Sequence, residues 1–271
     1  MRKPLPTLVQ ALRRAAVRAT LAPSVRNLQP WALIVGTRTL ELRADLSRGP
    51  RGLDPLGRQS VISCGCALFN ARVSLAADGW NAVVERYPDP DRPDLLARVS
   101  VAGSAGSSAI GKFQETTGLG QLDEAIENRR SSRQPFLPDA VAKSVLPGLI
   151  LAAAAEGGRL VEITSAADRL IITNLASTPA PSVLLLGTAA DGPAAWLWAG
   201  EALEHTLLET TRRGYAVCPL SEVLEPAGVR VALRTQLRLS MQPQLIILVG
   251  RAEPTPASRR RRLADVLVIA A

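Results

Sequence analysis

The feature that most constrains the fold is a segment rich in Gly, Ser and Thr near the middle of the chain. Residues 102–122 (AGSAGSSAIGKFQETTGLGQL) have the composition of a linker and divide the 271 residues nearly in half. A chain of this length accommodates about two domains of roughly 150 residues each. We therefore expect two halves, residues 1–110 and residues 111–271.

Both halves mix predicted helices with predicted strands. Residues 8–21 have the apolar spacing of an amphipathic helix. Residues 59–80 are small and apolar on almost every side, which predicts a central buried helix closed by Gly79. Because the elements do not alternate strictly, the pattern favours an α+β fold over a doubly wound parallel sheet. The other predicted helices are a short one ending at 128–130 and residues 138–155, 166–175 and 194–212, and the predicted strands are residues 31–35, 40–43, 82–84, 96–101, 160–163, 182–186 and 244–249.

The inventory of reactive side chains argues against several kinds of catalytic centre. His205 is the only histidine, and the cysteines are Cys64, Cys66 and Cys218. These numbers disfavour a histidine-based triad, a metal centre and a disulfide framework. The sequence also lacks the GxGxxG pattern of a Rossmann domain and the GxxxxGK motif of a P-loop. Redox or group-transfer chemistry would therefore need a reactive group bound from outside.

Charge and hydropathy bear on location and partners. The net charge is +8 and the run Arg259–Arg262 is strongly basic, but aromatic residues make up only 3% and no nucleic-acid-binding motif is present. We therefore expect no nucleic-acid partner. The basic N-terminus lacks the apolar core of a secretory signal, and the longest apolar run, residues 149–155, is too short to span a membrane. We expect a cytoplasmic protein with no membrane partner.

Polar side chains are concentrated in the loop at residues 22–31 (APSVRNLQPW), between a predicted helix and a predicted buried strand. Pro23 and Pro30 stiffen this loop. Ser24, Asn27 and Gln29 offer neutral donors and acceptors at close spacing, which suits recognition of the edge of a flat heterocycle. The alternative is an ordinary polar turn anchored in the core by the tryptophan that follows.

Three arginines and two serines lie close together at residues 129–133 (RRSSR), after a predicted short helix. Guanidinium groups bind phosphate through paired hydrogen bonds, and the hydroxyl groups add further donors. The alternative is a solvated basic helix end, which the helix dipole favours in any case.

Together, the two segments resemble the flavin-binding signatures of the nitroreductase superfamily. Its members carry an Arg-Arg-Ser-x-Arg segment and a Pro-Ser-x-x-Asn-x-Gln-Pro-Trp loop, and both contact FMN, the loop coming from the partner subunit. Here the loop precedes the linker and the arginine segment follows it. This order is similar to the Acg-type branch, in which the nitroreductase unit is duplicated within one chain. Further similarity to that branch covers residues 53–80, 196–214 and 243–267.

The resemblance implies a nitroreductase-like α+β fold that is duplicated within one chain, with antiparallel or mixed sheets packed against helices. It also implies one FMN site at the internal interface of this pseudo-dimer, so that the chain is a monomer or a homodimer. Arg133 is implied to stabilise negative charge near N1 of the reduced ring. The residues implied to bind FMN are Pro23, Ser24, Asn27, Gln29, Arg129, Arg130, Ser131, Arg133 and, near the C-terminus, Arg260 or Arg261.

Since FMN carries the hydride through its N5, no side chain is expected to be catalytic and no metal is expected to bind. The implied function is NAD(P)H-driven two-electron reduction of a flat, electron-poor acceptor, a nitroaromatic or a quinone. The reductant and the acceptor are implied to bind in turn, in a ping-pong scheme. The alternative is a protein that holds FMN without turning it over.

Two departures from the family pattern concern access to the flavin. Arg26 stands where members often carry His. Only residues 174–181 connect the predicted small helix to the next strand, whereas Acg-type relatives have a longer insert that is expected to supply part of a cover over the flavin. The shortened second half implies a more open site or weaker flavin binding.

Overall fold

The computed structural model describes residues 6–49, 52, 54–104, 118–139, 141–176 and 180–270. The expected domain boundary at residues 110 and 111, and most of the expected linker, lie outside these residues. The described residues form two β-sheets packed against helices, with one sheet largely from each expected half. The expected α+β class is confirmed.

The first sheet contains four strands from the first half and a fifth from the end of the chain. The expected start of the linker at residue 102 is wrong, because residues 102–104 belong to the fourth of these strands. The strand order of this sheet is β3-β4-β2-β1-β9. The four early strands pair antiparallel, whereas β9 runs parallel to β1, with Leu33 opposite Leu267. The C-terminal segment therefore returns to the first half. The strands are β1 (Trp31–Val35), β2 (Thr39–Ala44), β3 (Trp80–Arg86), β4 (Leu95–Ser104) and β9 (Leu267–Ile269).

The second sheet is antiparallel throughout and has the order β5-β6-β8-β7. Read from its own first strand, the first sheet has the equivalent order, β1-β2-β4-β3. In both halves a 20-residue helix joins the second strand to the third, so the two halves share strand order and the position of their central helix. The strands are β5 (Arg159–Glu162), β6 (Ser182–Thr188), β7 (Ala216–Leu220) and β8 (Gln242–Gly250).

The helices mostly follow the expected pattern. α1 is closed at its start by a capping box between Thr7 and Gln10. The expected helix over residues 138–155 is wrong in its first half. It begins at Leu146, beside Pro147, because proline fits the first helical turn and disfavours helix before it. The helices are α1 (Leu8–Ala19), α2 (Arg58–Ala77), α3 (Asp123–Asn128), α4 (Leu146–Ala155), α5 (Ala166–Ala176), α6 (Pro193–Arg212) and α7 (Ala227–Gln236).

The two central helices, α2 and α6, cross in direct backbone contact. A Cβ built on Gly65 would lie 2.8 Å from the Cα of Gly200, and a Cβ built on Gly200 would lie 2.7 Å from the Cα of Gly65. Each would also overlap a backbone carbonyl oxygen of the other helix, that of Leu197 or Ile62. Only glycine permits this approach, so the crossing holds the two halves in register.

Among the described residues, α2 is the one helix long and apolar enough to cross a membrane by length and composition. Of that stretch, 83% is buried inside the protein. The contacts with α6 and the first sheet explain its apolar composition, as expected for a central core helix.

Candidate functional site

Two adjacent cavities lie where the first-half loop meets the second half. An apolar chamber of about 370 Å³ is walled by α2, α6, β7 and β8. An arginine-lined cleft of about 920 Å³ adjoins it beside α3 and the C-terminal segment, of which residues 255–260 line the cleft. The residues common to both cavities come from the two sequence segments singled out above, and they are Pro23, Ser24, Arg26, Ser131 and Arg133.

The backbone of the loop at residues 22–30 adopts unusual conformations. Arg26, Asn27 and Gln29 have φ angles of 48°, 57° and 52°, in the left-handed region that non-glycine residues rarely occupy. Inside the loop, the backbone N–H of Gln29 donates to Ser24 Oγ at 3.0 Å. Each such conformation costs on the order of 1 kcal/mol, so surrounding contacts must hold the loop in place.

The C-terminal segment supplies those contacts. Arg260 donates to Asn27 Oδ1 at 3.1 Å, and Asn27 Nδ2 donates to the carbonyl of Arg259 at 2.8 Å. The backbone N–H of Arg261 donates to Gln29 Oε1 at 2.9 Å. After these contacts the chain continues into β9, which joins the first sheet. The tail of the second half therefore fixes the loop of the first.

The arginine segment is held against β7 and against the end of α1. Ser131 pairs with Val217 in an isolated bridge, and the backbone N–H of Ser132 donates to the carbonyl of Val217 at 2.7 Å. Arg129 is only 4% exposed, and its guanidinium group donates to Ser131 Oγ at 3.3 Å and to the Leu21 carbonyl at 3.4 Å. These contacts place a buried cation at the inner wall of the cleft.

A buried acid lies behind Arg129. Glu204 on α6 is fully buried, with Oε1 3.5 Å from Arg129 Nε. Burial raises the pKa of Glu204 to about 7 against the attraction of Arg129. Burial, together with repulsion from Arg129, also lowers the pKa of the Arg260 guanidinium to about 10. The inner wall of the cleft is therefore a desolvated cluster with two cations and one acid.

Buried polar contacts from the first two residues of α2 stabilise one wall of the chamber. Arg58 is fully buried and donates to Gln244 Oε1 at 3.1 Å and to Glu225 Oε2 at 3.0 Å. Gln59 Nε2 donates to the Ser221 carbonyl and to Glu225, both at 2.8 Å. The first half thus positions the segment after β7, residues 221–225, over the chamber.

Arg26 and Glu222 form a solvent-exposed ion pair that lines the chamber. Arg26 Nε lies 3.0 Å from Glu222 Oε1, and Nη2 lies 2.9 Å from Oε2. Both side chains are about half exposed. Glu222 was not among the expected site residues, since no motif surrounds it and only the tertiary fold brings it opposite Arg26.

Most of the expected site residues line the cavities, and two do not. Gln29 is 2% exposed and is occupied by loop contacts. The Arg261 side chain donates to the Leu28 carbonyl at 3.3 Å instead of lining the cleft. Both therefore hold the loop. Arg259, which was not expected, lines the cleft instead of Arg261. The expected residues that line a cavity are Pro23, Ser24, Asn27, Arg129, Arg130, Ser131, Arg133 and Arg260.

Neither the cysteines nor the histidine forms a metal centre within the described ranges, where no group of three or more His, Cys, Asp or Glu side chains is placed to hold an ion. Cys66 and Cys218 line the apolar chamber. Burial raises the pKa of both thiols, so they remain protonated at neutral pH. They act as small apolar wall groups.

Sequence relatives show which family this chain belongs to. No protein-family model matches the chain. The Mycobacterium tuberculosis H37Rv protein named "Putative NAD(P)H nitroreductase Rv3131" is 30% identical over 323 aligned residues, which cover 95% of this chain and 91% of that protein. The protein named "Putative NAD(P)H nitroreductase acg" from the same strain is 27% identical, and 96% of each chain is covered. Because the alignments are longer than this chain, these relatives contain segments that have no counterpart here.

Solved structures include a weaker likeness to nitroreductase A from Vibrio parahaemolyticus. It is 15% identical, with a TM-score of 0.45, and covers 52% of this chain and 71% of that one. Family membership follows from the sequence relatives, whose alignments run through both halves of the chain. The chain belongs to the nitroreductase superfamily, in its Acg-type branch.

Proposed function

We propose that the chain binds one FMN between its two halves and uses NAD(P)H to reduce a flat, electron-poor acceptor such as a nitroaromatic or a quinone. The observation that carries this proposal is the meeting of two distant motif segments. Arg129 of the arginine segment donates to the carbonyl of Leu21, the residue directly before the loop and 108 residues away in sequence. Their segments jointly line an apolar chamber and a cationic cleft, which is the combination that a flat ring with a phosphate tail requires.

The residues present fit FMN. Arg260 Nε is a buried donor without a hydrogen-bond partner in the described part of the chain, and Arg129 Nε faces only the Glu204 carboxylate, 3.5 Å away. Both arginines line the cleft. Such donors are costly unless an anion completes them. The chamber volume of about 370 Å³ lies within the usual range for small-molecule sites. When bound, FMN would supply the hydride chemistry, and no side chain need be catalytic.

The chain's own residues would bind and orient the cofactor. Arg129, Arg260 and Ser131 would hold the phosphate, and Ser24, which lines both cavities, would contact the ring. Asn27 would hold the loop in place at the cleft through its amide contacts with Arg259 and Arg260. Arg133 lies at the junction of the two cavities. Its guanidinium group would stabilise negative charge that develops on the reduced ring.

The equivalent strand order of the two halves supports an internal pseudo-dimer of residues 1–110 and 111–271. In this arrangement the first half supplies the loop and the second half supplies the arginine segment. The C-terminal strand that joins the first sheet supports the same interpretation, since it ties the halves together. We propose that the chain forms its complete site without a second copy.

Replacing Arg129 by Ala is expected to weaken FMN binding by about 10- to 100-fold, because a charge-assisted contact to phosphate is worth about 1.5–3 kcal/mol. Quenching of flavin fluorescence on titration with the protein measures the dissociation constant. Arg234→Ala is the matched control, since Arg234 is exposed on α7 and lines neither cavity. Equal affinity for the wild type and Arg129→Ala contradicts the proposed phosphate site.

Replacing Glu222 by Ala is expected to leave stability almost unchanged and to accelerate FMN release. The Arg26–Glu222 pair is half exposed, and such pairs contribute about 0–1 kcal/mol. Since both side chains line the chamber and reach solvent, loss of the pair should increase the FMN dissociation rate several-fold in a stopped-flow displacement experiment. Unchanged release would show that the pair does not limit escape.

Reduction by NAD(P)H separates an oxidoreductase from a flavin-holding protein. Under anaerobic conditions, loss of the flavin absorbance on addition of NADH or NADPH supports the oxidoreductase. Bound FMN that neither nucleotide reduces, but that dithionite does, supports the holding role.

A further inference from the structure

Glu204 is a buried carboxylate for which the flavin site described above has no use. It is fully buried in the middle of α6, and neither of its oxygens forms a hydrogen bond within the described part of the chain. The amide of Asn70 on α2 lies near enough to favour the ionised form, and Arg129 Nε is 3.5 Å away. An unsatisfied buried carboxylate is costly, which calls for an explanation beyond packing.

The groups that face Glu204 come from three other elements. Arg129 follows α3, Arg260 lies in the C-terminal segment, and both cations act on the carboxylate. From α2 come Asn70 and the protonated thiol of Cys66. Both cations also line the cleft. The carboxylate and a cleft-bound anion therefore compete for the same two positive charges.

The other acids of this region have partners of their own. Glu201, one turn earlier on α6, is bound by Arg86 through two contacts of 2.7 and 2.9 Å and by Arg72 at 2.6 Å. Glu156 is paired with Arg72 and lies beside His205. Glu204 is the buried acid of α6 whose only ion-pair partner in the described structure faces the cleft.

The net charge of the groups behind the cleft depends on whether Glu204 is protonated. With Glu204 ionised, the cluster of Glu204, Arg129 and Arg260 carries one net positive charge. With Glu204 protonated it carries two, which match the charge of a phosphate dianion. Burial raises the pKa of Glu204 to about 7, so both forms are within reach at neutral pH.

We propose that Glu204 is a positioning residue behind the phosphate subsite that takes up one proton from solvent when a phosphate dianion binds to Arg129 and Arg260. No covalent bond other than the O–H bond of the acid forms or breaks. This inference rests on the proposed function for the identity of the anion. A bound anion favours the protonated acid, so the affinity for phosphate falls as the pH rises above 7, by at most tenfold per pH unit.

The test is the dissociation constant of FMN at pH 7, 8 and 9 and at constant ionic strength, for the wild type and for Glu204→Gln. The FMN phosphate is a dianion throughout, because its second pKa is about 6. For the wild type we expect the constant to rise about tenfold from pH 7 to pH 9, and for Glu204→Gln to change less than about twofold. Riboflavin, which has no phosphate, should show no such dependence with either protein.

An FMN dissociation constant that does not change with pH in the wild type overturns the proposal. So does one that rises equally with pH in the wild type and in Glu204→Gln. A second measurement needs no variant. Calorimetric titration of the wild type at pH 7.5 in two buffers of different ionisation enthalpy should reveal an uptake of about half a proton per FMN. An uptake of zero also overturns it.

Sulfate separates this inference from the proposed function, since it remains a dianion over the whole pH range. If FMN does not bind at any pH, the proposed function fails. Thermal stabilisation by sulfate relative to chloride then decides the inference. If the increase in unfolding temperature caused by sulfate declines from pH 7 to pH 9 in the wild type but not in Glu204→Gln, the inference is supported. If sulfate causes no increase, or the same increase in both proteins at each pH, the inference is overturned.

Discussion

A single methyl group added at Gly200 is expected to destabilise the protein by about 3 kcal/mol or more. In Gly200→Ala the new Cβ would overlap the Ile62 carbonyl oxygen and lie 2.7 Å from the Cα of Gly65. These are backbone atoms of the neighbouring central helix, so no side chain can rotate away and the two helices must separate. Separation would expose apolar surface along the crossing of the two central helices.

Thermal unfolding measures this effect. For a protein of this size, about 3 kcal/mol corresponds to a fall in the unfolding temperature on the order of 10 °C. Gly228→Ala is the matched control, because Gly228 lies in α7 with nothing within 4 Å of a new Cβ, and alanine favours helix. A Gly200→Ala protein that unfolds at the wild-type temperature would contradict the close crossing of α2 and α6.

The second large effect is the pH dependence that Glu204 imposes on stability. Its pKa rises from the ordinary 4.5 to about 7 on folding, because burial disfavours the charged form. The folded protein therefore binds this proton more tightly than the unfolded chain does. The stabilisation is fully present below pH 4.5 and is lost as the pH rises through 7, by a total of about 3 kcal/mol at about 1.4 kcal/mol for each unit of pKa.

Glutamine at position 204 cannot ionise, so Glu204→Gln removes this dependence. The free energy of unfolding, measured by urea denaturation at pH 5, 6, 7 and 8, should therefore increase in the variant relative to the wild type as the pH rises. Most of the change, about 2–3 kcal/mol, should fall between pH 5 and pH 7. A difference that stays constant across this range would show that Glu204 titrates normally.

The sequence predicted the parts of the fold and of the site that depend on local patterns. The central helix over residues 59–80 was expected from its small apolar composition, and the structure places it at residues 58–77. The Gly79 turn ends it, and Trp80 begins the next strand. The loop at residues 22–31 and the arginine segment were both expected from motifs, and they do meet at one pair of cavities.

What the sequence could not predict depends on tertiary contacts. The direction of Gln29 follows from left-handed backbone conformations that contacts with the C-terminal segment stabilise. The register that turns Arg259 and Arg260 into the cleft, and Arg261 out of it, arises in an extended segment without periodicity. β7 was missed because it contains Pro219, which is tolerated there since β7 is an edge strand.

Glu204 was not predicted as a site residue for a related reason. Glu204 lies on a helix whose residues are buried on nearly every side, so hydrophobic periodicity cannot show which face is polar. Only the position of Arg129 in three dimensions identifies the carboxylate as part of the site.

The absorption spectrum of the purified protein, before and after addition of FMN and gel filtration, tests the proposed composite site most directly. We expect a flavin spectrum with one FMN per chain in the wild type, and a loss of most of it in both Arg129→Ala and Asn27→Ala, which remove one contribution from each half. A folded wild-type protein that is colourless and does not retain added FMN would contradict the composite site.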